Sequence, residues 1–378
     1  MISLQVTIQL AAAVIGLVLG TALWVVRRVP RLTLRGKTVF ITGGSTGIGL
    51  EMAKEFVRRG AYVCIAARRR DVLESAEGSI RASCGATSCG SDGAGSLAYP
   101  RVTSVVMDVA SDAAVTAAMD GVQVWLKDVA TAVQPPTPTA SKPSRSSESA
   151  LATTPSRLSV DVLVCSAGFA HPTRFLDVPP AIGRQMMDVN YFGCVNAVRA
   201  FLPAMYEAKR GRVVLLSSQA AVAAVAGFTL YSPTKAAVRA FACALNMESA
   251  ARGVQVQLVN PPDVATPGYD EENKVKSPEC KEICAMSSPT PWKAADVARA
   301  AVDGIQTYQF QVNIGMDGWL LGCLSAGFDP ASGVGQLLCE ATLAGVLRLV
   351  IGVYSKIYYG VVAKHLRKEL ATAKKEKR

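Results

Sequence analysis

The chain has 378 residues, half of them hydrophobic, and a formal net charge of +11. That length can bury one large α/β core and leaves residues at both ends for something else. Arg27, Arg28, Arg31, Arg35 and Lys37 cluster after the first apolar run, nine basic residues against three acidic ones follow Gly335, and the body from 38 to 334 is neutral. Basic flanks around a neutral body suit an anionic membrane surface and argue against nucleic acid as a partner.

Leu4 to Val26 carries no charge. As a helix it would extend about 35 Å, enough to cross a bilayer. A cleaved signal peptide is the alternative, but no basic residue precedes the run and it is long for a signal core. A retained anchor over residues 1–30 is therefore expected, with the basic flank holding the body in the cytosol.

From 31 to 334, short β-branched runs alternate with helical patterns, which predicts a doubly wound parallel α/β sheet. Strands are expected near Thr38–Ile41, Tyr62–Ala67, Val102–Met107, Val160–Cys165, Arg212–Leu216, Val254–Val259 and Gln311–Ile314. Residues 83–100, rich in Gly, Ser and Ala, and residues 134–157, which carry five prolines, interrupt the rhythm as flexible insertions. The segment 335–378 is apolar from Thr342 to Ala363 except for Arg348 and Lys356, and ends in a basic tail. It is expected to be membrane-associated; spanning, lying on the surface and packing on the domain all remain open.

The ten cysteines are irregularly spaced, and only His171 and His365 could join them as soft ligands, so no metal site or disulfide framework is indicated. Cys280 and Cys284 form an isolated pair that chance explains.

Three segments carry chemistry. The first strand runs into Thr42-Gly43-Gly44-Ser45-Thr46-Gly47-Ile48-Gly49, ahead of a helical pattern. Such a loop lets a pyrophosphate approach backbone N–H groups at a helix N-terminus. The second strand delivers Arg68, Arg69 and Arg70 where an NAD-selective site would offer an acidic residue. A guanidinium there pairs with the 2′-phosphate of NADPH, although a solvated basic turn is the plainer reading for Arg70. Asp108 closes the third strand, placed either to hydrogen-bond the adenine or to cap the next helix.

Tyr231 alone among the ten tyrosines has a lysine four residues on, Lys235, and positions i and i+4 share a helix face. The ammonium is then expected to stabilise the phenolate, with Ser232 as cap and Pro233 in the first turn. Ser218, at the end of the strand Arg212–Leu216, can polarise a substrate carbonyl while Tyr231 protonates the alkoxide. Asn190 would sit mid-helix, its side chain holding a water that links Lys235 to solvent.

The order Gly loop, Asn190, Ser218, Tyr231-Lys235 resembles the short-chain dehydrogenase/reductase superfamily over roughly residues 36–320. The resemblance implies Tyr231 as general acid, Lys235 on the nicotinamide ribose, Ser218 on the carbonyl and Asn190 in a proton relay. It further implies cofactor contacts from Gly43, Ser45, Thr46, Gly47, Ile48, Gly49, Arg68, Asp108, Val109, Ala167, Gly168, Tyr231, Lys235, Pro261, Val264 and Thr266. Two departures stand out: Cys165-Ser166-Ala167-Gly168 in place of Asn-Asn-Ala-Gly, and Pro261-Pro262-Asp263 in place of Pro-Gly.

The stretch Asn260 to Asn273, together with Ser217-Ser218-Gln219-Ala220 and Gly315-Met316-Asp317-Gly318-Trp319, is similar to the 3-ketodihydrosphingosine reductase subfamily. That likeness implies reduction of a long-chain 3-keto sphingoid base with NADPH, on the cytosolic face of the endoplasmic reticulum membrane. A homo-oligomer is left open. Within this reading Asp263, three residues before Thr266, and further along Asp270, Glu271 and Glu272, are the carboxylates that could meet the substrate ammonium, with a turn cap as the plain alternative for Asp263. The residues themselves reach only an NADPH carbonyl reductase at a membrane. A reductase of 3-ketoacyl-CoA, steroid or retinoid carbonyls shares every feature, and a catalytically idle NADPH-binding scaffold would have no need of the four-residue set.

Overall fold

The protein is described by a computed structural model covering residues 31–83, 101–133 and 158–376, apart from 328 and 332. The expected anchor at Leu4–Val26 and both insertions, save Ser83, lie outside the described residues.

Nine strands are present: β1 (Thr38–Thr42), β2 (Tyr62–Ala67), β3 (Val102–Val106), β4 (Val162–Cys165), β5 (Gly211–Leu216), β6 (Val254–Asn260), β7 (Val264–Ala265), β8 (Trp292–Lys293) and β9 (Gln311–Asn313). Seven of them form one sheet in the order β3-β2-β1-β4-β5-β6-β9, with every neighbouring pair parallel. The chain starts in the middle, winds out to β3, returns to β4 and winds the other way, so the strand order reverses between β1 and β4. A crevice opens beyond the strand C-termini at such a switch point.

The helices are α1 (Gly47–Arg58), α2 (Arg70–Ser83), α3 (Asp112–Val133), α4 (Pro180–Met187), α5 (Gly193–Glu207), α6 (Tyr231–Ala250), α7 (Pro267–Val275), α8 (Pro278–Ser287), α9 (Ala294–Gln306), α10 (Gly315–Leu324) and α11 (Val334–Glu376). A π-helical turn, Asp188–Phe192, joins α4 to α5.

All five residues of β1 are buried, as expected of a parallel strand covered on both faces. Side chains alternate between the layers. Val39 and Ile41 meet Met52 and Phe56 of α1 and Val302 of α9, whereas Phe40 faces Phe201 of α5, ring centroids 4.6 Å apart. Replacing either kind of residue with alanine would cost about 2–5 kcal/mol in cavity and transfer terms.

All seven expected sheet strands are present to within one or two residues. The pattern gave no sign of the separate two-stranded β7–β8 ribbon, in which Val264 pairs with Trp292 and Ala265 with Lys293. Two residues per strand are too few to show a period. The ribbon matters because it ties the chain after β6 to the segment before α9, fixing one wall of the crevice.

The C-terminal segment forms one continuous 43-residue helix, α11. Among the described residues it is the one helix long and apolar enough to cross a membrane, and only 6% of its most apolar window is buried. Its fastening is polar. Arg174 bridges Glu279 of α8, at 2.7 Å, and Glu369 of α11, while Lys364 and His365 of α11 meet Glu282 of α8 at 2.6 and 2.8 Å. Arg174 holds the Glu279 carboxyl at about 2, well below its ordinary range.

Candidate active site

The β1–α1 turn depends on glycine where the backbone closes up. Gly43 has φ +67° and a Cβ there would stand 2.6 Å from the Ala167 backbone nitrogen; Gly47 has φ +58° and lies against the Thr266 methyl. A Cβ on Gly49 would strike the Gly43 carbonyl. Thr46 is the N-cap of α1, but its side chain makes no capping bond, which leaves the first-turn N–H groups for an incoming acceptor.

Opposite this loop, β4 runs out into Ser166, Ala167 and Gly168. A Cβ on Gly168 would sit 3.1 Å from Asn190 Oδ1 and 3.3 Å from Lys235 Nζ, so a bare backbone passes directly over two of the expected active residues. Asn190 is fully buried in the π-helical turn. Its Nδ2 donates to the Phe169 carbonyl at 2.9 Å and to Thr234 Oγ1 at 3.0 Å, and its Oδ1 accepts from the Phe169 N–H at 2.9 Å. The side chain thus clamps the loop after β4 to α6, with both amide hydrogens donated and Oδ1 keeping one acceptor position. A buried amide this well bonded rigidifies what it joins.

Ser218 follows β5. Its Oγ accepts from the Ala220 N–H at 3.1 Å, and the serine shares the cavity wall with Tyr231, whose pKa it draws down. Tyr231 is the first residue of α6, capped by Leu230. Ser232 is therefore inside the first turn and not the cap, and Pro233 is tolerated because first-turn N–H groups have no helical partner.

Lys235 is buried, its ammonium donating to the Leu216 carbonyl at 2.9 Å and lying 5.8 Å from the centroid of the Tyr231 ring. Burial pushes the lysine pKa down. Tyr231 is pushed up, first by burial and then by the charges of Glu272 and Asp263, against the lowering effect of the Ser218 bond. Burial thus holds the phenol protonated, the state a proton donor needs.

Other expected positions divide by location. Pro261, Val264 and Thr266 line the crevice together with Ser45, Thr46, Ile48, Ala167 and Gly168. Thr266 Oγ1 caps α7 by accepting from the Tyr269 N–H at 3.1 Å. Arg68, Arg69 and Arg70 are exposed beyond β2. Asp108 Oδ1 accepts from the Ala110 N–H at 3.1 Å, and buried Val109 packs against Gly193 with its carbonyl bonded to Asn196. These last residues lie outside the cavity lining, along the sheet edge.

The cavity measures about 1050 Å³ and passes from the Gly loop, past Ser218, Tyr231 and Lys235, to α11, where Leu347, Ile351, Tyr354 and Tyr358 form a wall. Its remaining side is α7. Asp263 is in the wall, but its carboxylate is paired at 3.4 Å with Lys276, whose side chain is 1% exposed. Asp270 is exposed and is not part of the lining, which corrects its place among the candidates; Glu272, two residues on and so on the opposite face of α7, does line the cavity. Burial raises the Glu272 carboxyl to about 7. Lys276 lies 4.4 Å from the Tyr269 ring centroid, an element of the site that sequence reasoning missed. The spacing of Tyr269, Glu272 and Lys276 on one helical face was the available signal.

A family model described as short chain dehydrogenase matches residues 37–134 and 142–277, more than half of the chain. The chain belongs to the short-chain dehydrogenase family. A 3-dehydrosphinganine reductase from Arabidopsis thaliana is 31% identical over 337 residues, covering 88% of this chain and 86% of its own. A protein of the same name from Danio rerio is 29% identical, covering 88% and 87%, and a 3-ketodihydrosphingosine reductase from Bos taurus is 30% identical over the same shares. A solved 3-ketoacyl-(acyl-carrier-protein) reductase from Brucella melitensis, complexed with NADH, aligns with a TM-score of 0.55 at 23% identity, over 73% of this chain and 93% of its own, a likeness of fold.

The residues fit the nicotinamide dinucleotide that short-chain dehydrogenases use. The close approaches at Gly43 and Gly168 leave no room for a side chain between loop and β4, and the uncapped start of α1 offers N–H donors to a pyrophosphate. Ser218 and Tyr231 stand at the inner end of the same crevice.

Proposed function

We propose that this chain reduces the 3-keto group of a long-chain sphingoid base to the 3-hydroxyl, using NADPH, at the cytosolic face of the endoplasmic reticulum membrane. The observation that carries this reading is that Ser218 and Tyr231 line one cavity between a dinucleotide cradle and a wall formed by an apolar helix. The relatives named above, similar over nearly the whole chain, supply the substrate.

Bound in the cradle, the reduced nicotinamide would supply the hydride. Ser218 Oγ donates to the carbonyl oxygen, drawing charge onto it. Tyr231 delivers its proton to the same oxygen as the C–O bond becomes an alcohol, and a phenol kept protonated by burial is always loaded for that transfer. Lys235, fixed by Leu216, lends its charge to the ribose and to the phenolate left behind. Asn190 acts by positioning, since its amide ties the Phe169 backbone to the hydroxyl of Thr234, the residue before Lys235. Arg68 selects the 2′-phosphate, because an exposed guanidinium at the β2 edge favours that group where a carboxylate would repel it.

The alkyl chain of the substrate extends along α11, which is apolar around its circumference and presents Tyr354 and Tyr358 to the cavity. The length and apolar character of this helix, and the uncharged sequence of Leu4–Val26, support a site beside lipid.

Purified full-length protein, incubated with NADPH and the 3-keto base in mixed micelles, is expected to form dihydrosphingosine with one NADPH consumed per product. Absence of product under conditions where NADPH binds would overturn the reading.

A further inference from the structure

We propose that Glu272 is the residue that selects amino-ketones, accepting the C2 ammonium of the substrate while Tyr231 and Ser218 hold the C3 oxygen. The inference rests on the sphingoid-base reading above and adds to it the recognition of the charge.

In such a substrate the ammonium lies one bond from the carbon that is reduced, so its counter-charge has to stand beside the tyrosine. Glu272 does. Capped at Thr266 and begun by Pro267, α7 turns Tyr269 and Glu272 into the cavity and leaves Asp270 and Glu271 outside. Of all the charges acting on the Tyr231 phenol, Glu272 has the largest effect.

The carboxylate also lacks a partner. Among the described residues no hydrogen bond or ion pair reaches the Glu272 side chain, although its neighbours are paired. Asp263, the carboxylate nearest in sequence to Thr266, is spent on Lys276. Lys276 in turn lies over Tyr269, and Lys235 is directed to the Leu216 carbonyl. The charged and titratable groups around Glu272 are therefore Lys276 on its own helix, Asp263 before it, Tyr231 and Lys235 on α6, Cys284 on α8, and the Tyr354 and Tyr358 phenols of α11. Burial has the largest effect, ahead of the opposing charges of Lys276 and Asp263, and leaves the carboxyl at about 7. An ammonium entering this half-buried position meets a carboxylate in a low-dielectric setting, where one missing partner is costly and discrimination against uncharged ketones follows.

The test compares kcat/KM for the 3-keto sphingoid base with that for a ketone of equal chain length lacking the amine. In Glu272→Gln the ratio of the two should fall roughly ten- to a hundredfold. NADPH affinity should be retained, and Glu272→Asp should recover part of the ratio. The preference of the unaltered enzyme for the amino-ketone should also rise with pH through about 7, as Glu272 ionises, and this rise should be absent in the Gln variant. Asp263→Asn, which strands buried Lys276, should depress both substrates alike. Equal losses on both ketones in Glu272→Gln would overturn the inference while leaving the reductase reading intact. If the unaltered enzyme turned over neither ketone, the functional reading itself would fail.

Discussion

The two ends of the crevice are built differently. The dinucleotide end is a backbone surface: Gly43, Gly47 and Gly168 pack so closely that side chains are excluded, and its donors are peptide N–H groups. The substrate end is a side-chain surface, assembled from α7, α8 and α11 and held by ion pairs such as Asp263–Lys276 and Arg174–Glu279. A cofactor shared by a whole family suits a surface that tolerates no variation. A substrate particular to a few members suits one where single side chains can change specificity without disturbing the sheet.

The contrast can be broken hardest at the junction. Tyr231→Phe removes the proton donor yet keeps the ring against Phe228, at 5.5 Å between centroids. Turnover is expected to fall by about 10²- to 10⁴-fold, with NADPH affinity changed little, as measured by single-turnover kinetics and fluorescence titration. A variant within tenfold of the unaltered rate would remove Tyr231 from the chemistry.

On the backbone side, Gly43→Ala places a methyl against Ala167 in a conformation with φ +67°. Strain of about 1–3 kcal/mol should lower thermal stability and weaken both NADPH and NADH binding together. An alanine variant that bound both normally would show that the close approach is not required. The smallest effect is expected at the edge. Arg68→Ala should cost NADPH affinity roughly ten- to a hundredfold, the worth of one charge-assisted contact, and leave NADH affinity unchanged. Parallel losses on both cofactors would return Arg68 to the solvated turn.

How far each region could be read from the sequence follows the same division. Val39, Ile41 and their counterparts gave the strands because a buried parallel strand is a continuous apolar run with fixed length limits, and Gly43 to Gly49 gave the loop because only glycine meets its backbone demands. Ser218, Tyr231 and Lys235 do come together, for their spacing lies on local elements. The helical setting of Asn190 could be read locally but its clamp could not, since its partners Phe169 and Thr234 are 21 and 44 residues away. Asp263 was chosen over Glu272 by nearness to Thr266, and no periodicity announces that Lys276 folds back to neutralise it. Gln219 and the Gly315–Trp319 segment were both noted for resemblance alone. They prove to be in contact, Gln219 Nε2 donating to the Ile314 carbonyl at 3.0 Å and packing on Gly318. Non-local side-chain pairing of this kind is written into the fold and not into any window of the sequence.

The most direct test is a steady-state panel on the protein in mixed micelles with NADPH, comparing the 3-keto sphingoid base with a 3-ketoacyl-CoA, a ketosteroid and retinal. The account predicts a kcat/KM for the sphingoid base at least tenfold above each of the others; an equal or higher value for any of them would contradict it.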